Sequence, residues 1–75
     1  MSTQWSFRTI ADDIAAQIRD GRLAPGQRLP GRTELAPRYG VSPATIARSL
    51  ILLEAWGLTR GRQGMAVFVR PVSGE

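Results

Sequence analysis

The fold of this chain is decided by residues 42–58, which read Ser-Pro-Ala-Thr-Ile-Ala-Arg-Ser-Leu-Ile-Leu-Leu-Glu-Ala-Trp-Gly-Leu. Ser42 can cap the free N–H groups of a first helical turn, and Pro43 suits the first helical position because its missing N–H costs nothing there. Gly57 can adopt the left-handed conformation that ends a helix. The stretch therefore predicts one helix with a marked start and a marked end.

This helix is predicted to have a buried face and a presented face, because its side chains recur at steps of three and four residues. The residues expected on the buried face are Ile46, Ser49, Leu50 and Leu53. The residues expected on the presented face are Ala44, Thr45 and Arg48. Ile51 and Leu52 lie between Leu50 and Leu53 in the chain but off the buried face, and they are expected to be partly exposed.

Composition excludes several classes of protein. The 75 residues are 43% apolar and 21% charged, which is typical of one small globular domain that buries roughly 60% of its unfolded surface. The chain contains neither cysteine nor histidine, so we expect no disulfide, metal site, cofactor or enzymatic activity. Without a membrane-length apolar run or a signal-like N-terminus, a cytoplasmic location is expected.

Charge favours nucleic acid as a partner. The net charge is +4, and all ten basic residues are arginine, whose planar fork grips phosphate or a guanine edge. The clustered arginines are Arg28, Arg32, Arg48, Arg60 and Arg62, whereas the acids on the first helical segment are Asp12, Asp13 and Asp20. This sorting along the chain is typical of a nucleic-acid footprint, although GC-rich coding and a solvated surface are the alternative explanation.

The residues before the decisive stretch predict two further helices. A core stripe at helical spacing indicates a helix over residues 6–20 that ends at Gly21, and the stripe comprises Phe7, Ile10, Ala11, Ile14, Ala15 and Ile18. The pair Pro25-Gly26 predicts a type II turn, and a short strand at Arg28-Leu29 is an open possibility. Trp5 is expected to pad the core.

The second predicted helix covers residues 31–39, with Leu35 and Ala36 inward and Gly40 as its stop. Pro37 lies inside it, so we expect a distorted last turn. A glycine-containing turn of three to four residues then leads into the third helix, as a helix-turn-helix requires.

The segment after Gly57 changes pattern. Two β-prone runs, residues 58–62 and 66–70, flank a glycine-containing tip at 63–65 and predict a hairpin. We call this hairpin the wing. The predicted fold is therefore mainly α with a small β hairpin, a winged helix-turn-helix over residues 6–70. Residues 1–5 are expected to be a tail, and residues 71–75 a linker or end segment.

Several motifs resemble the N-terminal DNA-binding domain of the GntR family of bacterial transcription regulators. They are Leu29-Pro-Gly-Arg-Thr-Glu-Leu-Ala36, Tyr39-Gly-Val-Ser-Pro-Ala-Thr-Ile-Ala-Arg-Ser-Leu50, Leu53-Glu-Ala-Trp-Gly-Leu58 and Arg62-Gln-Gly64. The resemblance implies sequence-specific binding of double-stranded DNA at an inverted-repeat operator by a homodimer that acts as a repressor or an activator, with a repressor favoured. It also implies a small-molecule effector, but only if a further C-terminal domain exists.

The resemblance also implies which residues contact DNA. Carried over by position, together with the arginine beside the wing tip, they are Arg32, Thr33, Ser42, Pro43, Ala44, Thr45, Ala47, Arg48, Arg62, Gln63 and Gly64. Relatives commonly have arginine at the positions of Thr33, Pro43 and Ala47, so this chain is expected to read a different or less stringent operator, with Arg32 and Arg48 as the compensating candidates.

An alternative from another class remains open at this point. Ile51, Leu52 and Trp56 could form an apolar patch for a protein partner, which would make the domain a protein-interaction module without DNA readout. Binding of RNA by aromatic stacking is disfavoured, because the few aromatic residues do not line one strand face.

Overall fold

Three helices are followed by a small hairpin. The computed structural model describes residues 5–61 and 66–70. In chain order the elements are α1 (Phe7–Arg19), α2 (Arg32–Tyr39), α3 (Pro43–Ala55), β1 (Thr59–Gly61) and β2 (Val67–Val69). The two strands pair antiparallel, with Thr59 opposite Val69 and Gly61 opposite Val67. The predicted architecture is thus confirmed, whereas the predicted wing tip at 63–65 lies outside the described residues.

Helix α1 begins with a reciprocal cap. The Ser6 hydroxyl accepts the Thr9 backbone N–H at 3.2 Å, and the Thr9 hydroxyl oxygen accepts the Ser6 backbone N–H at 2.9 Å. The predicted core stripe is buried with one exception, since Phe7 is 37% exposed. The prediction for Phe7 was wrong because the residue lies in the first turn, where α1 extends past the edge of the core.

The connection from α1 to α2 contains the predicted type II turn. Gly26 has φ of +82°, and the Gln27 backbone N–H donates to the Ala24 carbonyl at 3.0 Å. A type II turn requires a positive φ at this position, and glycine adopts it without strain.

The strand considered at Arg28-Leu29 is reduced to a single bridge. Arg28 pairs with Phe68 in an antiparallel bridge, and the Leu29 backbone N–H donates to the Val67 carbonyl at 2.8 Å. Pro30 has no N–H to continue such a ladder, so the pairing stops there. The bridge and the backbone hydrogen bonds of Val69 with Gly26 and Gln27 hold the connection against β2, which brings Arg28 beside the wing.

Helix α2 is short and continues for two residues past Pro37. The missing N–H of Pro37 leaves the Thr33 carbonyl without its helical donor, and Thr33 is exposed, so water can replace that donor. The helix then ends at Gly40, which is left-handed. The helix is thus short, and the distortion of its last turn stays a prediction.

Helix α3 has the predicted caps but a shorter body than residues 42–58. Ser42 is its N-cap, Trp56 its C-cap, and Gly57 has φ of +78°. Leu58 therefore lies beyond the helix. Its backbone N–H still donates to the Leu53 carbonyl at 3.0 Å, so the turn closes onto the end of α3 and leads directly into β1.

The core lies between the three helices and the base of the hairpin. Its buried apolar residues are Ile10, Ala11, Ile14, Ala15, Ile18, Leu29, Leu35, Ala36, Ile46, Leu53 and Val69. Leu50, predicted on the buried face, is only partly buried and packs against this core together with Leu52. Trp5 also packs against it, as predicted, with its ring 4.8 Å from that of Tyr39.

A polar contact joins α1 to α2. The Tyr39 hydroxyl donates to the Asp13 carboxylate at 2.8 Å, and the Gln17 side-chain amide donates to the same oxygen at 3.1 Å. Burial and, next, the bond to Asp13 raise the pKa of Tyr39 to about 12. The neutral phenol is therefore the form that holds α2 against α1 throughout the physiological range.

Candidate nucleic-acid interface

The first turn of α3 is closed by its own side chains. The Ser42 hydroxyl accepts the Thr45 backbone N–H at 3.3 Å, and the two hydroxyl oxygens lie 3.2 Å apart. Thr45 is half-buried. Its hydroxyl is thus engaged within the cap, and it is less freely presented than the sequence predicts.

On one side, α3 is attached to the start of α1. Ser49 is fully buried, and its hydroxyl donates to the Phe7 carbonyl at 2.8 Å, with the Thr45 carbonyl at 3.1 Å as the alternative acceptor. Beside it, the Arg48 guanidinium lies 5.9 Å from the centre of the Phe7 ring, within the range of a cation–π contact. Arg48 is exposed, and Phe7 gives its side chain a preferred location.

On its other side, α3 borders an open groove of about 960 Å³ toward the wing. Its lining residues include Arg28, Arg32, Ala47, Ile51, Glu54 and Phe68. Both arginines are exposed, and so is Ile51, whose residue surface is 69% accessible. The groove therefore combines an apolar lining with two cationic side chains and one carboxylate, that of Glu54.

These cationic side chains are not neutralised within the described residues. The ion pair found there joins Arg22 to Asp20 at 3.0 Å, and both side chains are largely exposed. In residues 5–61 and 66–70, no carboxylate oxygen lies within 4.0 Å of a nitrogen of Arg28, Arg32 or Arg48. Their charge is available to an anionic partner.

The predicted contact residues are distributed unevenly. The exposed ones are Arg32, Thr33, Ser42, Pro43, Ala44 and Arg48, and the half-buried ones are Thr45 and Ala47. Those outside the described residues are Arg62, Gln63 and Gly64. Arg32 lines the groove toward the wing, whereas Arg48 reaches back over α1, so the two predicted compensating arginines lie on different sides of α3.

Two residues were not selected from the sequence as part of the interface. Arg28 lines the groove because its bridge to Phe68 holds it beside β2, and its only signal was its membership of the arginine cluster. Phe7 was assigned to the core stripe, and its helical spacing gave no indication that its ring would lie under Arg48.

The structure does not support a single apolar patch formed by Ile51, Leu52 and Trp56. Ile51 is exposed and lines the groove, whereas Leu52 is half-buried and packs against the core. Adjacent helical residues point about 100° apart, so the core can hold one of them while the other faces solvent. Trp56 is 39% exposed at the end of the helix. The expectation of partial exposure holds for both residues, but Leu52 contributes mainly to the core.

The domain is a winged helix-turn-helix. Its defining features are the order of its elements, the three-residue turn between α2 and α3, and the antiparallel hairpin. Comparison with known families agrees: the family described as bacterial regulatory proteins, gntR family, matches residues 7–69. The chain belongs to the GntR family.

Curated relatives include two Escherichia coli (strain K12) proteins. The mannosyl-D-glycerate transport/metabolism system repressor MngR is 36% identical over 64 residues, covering 85% of this chain and 27% of its own length. The Uxu operon transcriptional regulator is 35% identical over 79 residues, covering 100% of this chain and 31% of its own length. The chain thus spans about a quarter to a third of these relatives.

Solved structures share the fold. The DNA-binding domain of AraR in complex with operator ORX1 superposes with a TM-score of 0.81 at 30% identity, covering 92% of this chain and 86% of that one. YtrA from Sulfolobus acidocaldarius, a GntR-family transcription factor, gives a TM-score of 0.83 at 29% identity, covering 96% of this chain and 76% of that one.

In the described part of this chain, none of the helices has the length and apolarity needed to cross a bilayer.

Proposed function

We propose that this domain binds double-stranded DNA at specific sites and acts in a bacterial transcription regulator, as a repressor. The observation that carries the proposal is the set of exposed arginines on both sides of α3, none paired with a carboxylate among the described residues. The similarity to MngR supports the repressor assignment, and the similarity to the operator-bound AraR domain supports duplex DNA as the partner.

The proposed mechanism separates two kinds of contact. Arg28 and Arg32 hold phosphates and fix the register of the domain, whereas Arg48, Ala44 and the start of α3 face the base edges of the major groove. The wing would reach the adjacent minor groove with its tip. Phosphate contacts supply affinity without sequence information, so specificity has to come from α3 and the wing.

We further propose that the domain works as a homodimer on an inverted repeat. A single domain that holds about four to six phosphates should bind any duplex weakly, with a Kd of roughly 10⁻⁴ to 10⁻⁶ M and a log–log salt slope of about −0.9 per phosphate. A second linked domain makes the next contact intramolecular, which can tighten binding by about 10²-fold or more.

The test is to fuse the full chain to a dimeric tag and to measure binding to an inverted repeat, a half-site and random duplex, with the repeat taken from sites selected in a random library. Tighter binding to the repeat than to the half-site, with the expected salt slope, would support the proposal. Absence of binding to every duplex at low salt would reject it and favour a protein-interaction role.

A further inference from the structure

One stripe along α3 consists of side chains made only of carbon and hydrogen. Ala44, Ala47 and Ile51 follow each other at steps of three and four residues, so they share one face of the helix. Ala44 is exposed, Ala47 is half-buried, and Ile51 is 69% exposed. With a rise of 1.5 Å per residue, the stripe is about 10 Å long, close to the length of three base-pair steps.

Cationic side chains border this stripe on both sides. Arg32 lines the same groove as Ala47 and Ile51, whereas Arg48 lies at the opposite edge, over the Phe7 ring. A partner that fits this arrangement has an apolar centre with acceptor groups on both sides, which are phosphates beside Arg32 and an acceptor-bearing base edge beside Arg48. The major groove of a duplex offers such a surface where its base edges carry methyl groups, because phosphates line both sides of the groove.

Among the four ordinary bases, only thymine presents an apolar group in the major groove, its 5-methyl. Every base pair also carries donors or acceptors in this groove, the O4 of thymine included, so the methyl group is the feature that an apolar stripe can distinguish. A carbon-only stripe therefore discriminates by burying methyl groups.

We propose that the stripe formed by Ala44, Ala47 and Ile51 selects thymine, by contacting the 5-methyl groups of adjacent thymines in the major groove. This inference rests on the proposed DNA-binding function and specifies the bases that the centre of α3 reads. The alanines let the helix approach the bases closely, and Ile51 buries surface that is otherwise exposed to water. Burial of one methyl group corresponds to roughly four-fold in Kd.

The test uses the dimeric fusion of the full chain and the sites it selects from a random duplex library. Each thymine of the best site is replaced in turn by deoxyuridine, which removes the methyl group and keeps the base pair. We expect about four-fold weaker binding at two or three neighbouring positions of each half-site, and unchanged binding elsewhere and on random duplex.

A second arm restores the methyl group on another base. Replacing one of these thymine–adenine pairs by cytosine–guanine should weaken binding, and replacing it by 5-methylcytosine–guanine should recover part of the loss. Recovery would separate contact with the methyl group from recognition of thymine O4, in place of which 5-methylcytosine has an amino group.

A matched pair of variants assigns the effect to α3. Ala44→Ser places a hydroxyl in the stripe and should reduce the deoxyuridine effect at one position, whereas Ala16→Ser makes the same change at an exposed position of α1 and should leave it intact. Selected sites without neighbouring thymines, or sites insensitive to deoxyuridine while binding stays specific, would overturn the inference. Loss of all duplex binding would instead reject the proposed function itself.

Discussion

The two sides of α3 differ in how firmly they are held. Toward α1, Ser49 is fully buried against the Phe7 carbonyl, and Arg48 lies over the Phe7 ring. Toward the wing, Ile51 borders an open groove and is 69% exposed. One side of α3 is anchored to the fold, and the other is left open.

Because of this difference, substitutions that affect stability and substitutions that affect binding should fall on different sides of α3. Changes on the anchored side should alter the free energy of unfolding or the location of Arg48, because these residues contact α1. Changes on the open side should alter contacts with a partner and leave folding almost untouched, since exposed positions contribute little to stability.

The largest effect is expected from the pair Leu52→Arg and Ile51→Arg. Leu52 packs against the core, so introducing a charge there should lower the free energy of unfolding by about 3 kcal/mol. Ile51 faces solvent, so the same substitution should change stability by less than about 0.5 kcal/mol. Urea unfolding of both variants measures the two values.

The two arginine variants control for each other, since they introduce the same side chain at neighbouring positions of one helix. Equal losses would show that both residues belong to the core, and equal tolerance would place both on the surface. Either result would contradict the assignment of Leu52 to the core and of Ile51 to the open side.

The next effect concerns base readout by Arg48. If its guanidinium reads a guanine edge, Arg48→Ala should relax the preference at one or two base pairs by about 1–3 kcal/mol and change non-specific affinity by little more than one phosphate contact. Competition binding with single-base variants of a selected site measures the change. Asp12→Ala, exposed on α1, is the control and should change neither quantity.

Equal losses on selected and random duplexes would contradict the readout by Arg48. The residue would then be a phosphate contact, and the remaining sequence preference would have to come from Arg32, the carbon-only stripe, the wing or the shape of the DNA.

A smaller effect is expected at Ser49. Ser49→Ala removes the hydroxyl that joins α3 to the Phe7 carbonyl, and it should lower the free energy of unfolding by about 1 kcal/mol. Thermal unfolding measures the loss. Thr59→Val is the contrasting control, because the Thr59 hydroxyl is buried without a hydrogen-bond partner among the described residues, so its removal should be neutral or stabilising.

The caps and turns could be predicted from sequence because their causes are local. Ser42 and Gly57 mark the ends of α3 through backbone hydrogen bonds and a positive φ that a few neighbouring residues determine. The same holds for Gly26 in its type II turn. Helical spacing likewise placed Ile46 and Leu53 in the core.

The details of the candidate interface could not be predicted, because they depend on contacts between distant segments. Nothing in the residues around Arg28 indicates that Phe68 holds it beside the wing. Helical spacing identified Leu52 as lying off the buried line, but spacing alone does not reveal how far the neighbouring core extends. The stacking of Arg48 on Phe7 joins residues that are far apart in the chain, and helical spacing had assigned Phe7 to the interior.

The smallest effect is expected from Phe7, through its contact with Arg48. Phe7→Leu keeps an apolar side chain but removes the ring, so the guanidinium should sample more orientations and the base preference due to Arg48 should fall by about 0.5–1 kcal/mol. Phe7→Tyr keeps the ring and should therefore keep the base preference of the unsubstituted protein. In the free protein, the ring-current shift of the Arg48 side-chain protons should disappear in Phe7→Leu and persist in Phe7→Tyr, which tests the contact without DNA. If Phe7→Leu instead tightened binding, the ring would compete with DNA for Arg48, and the anchored side would restrain readout.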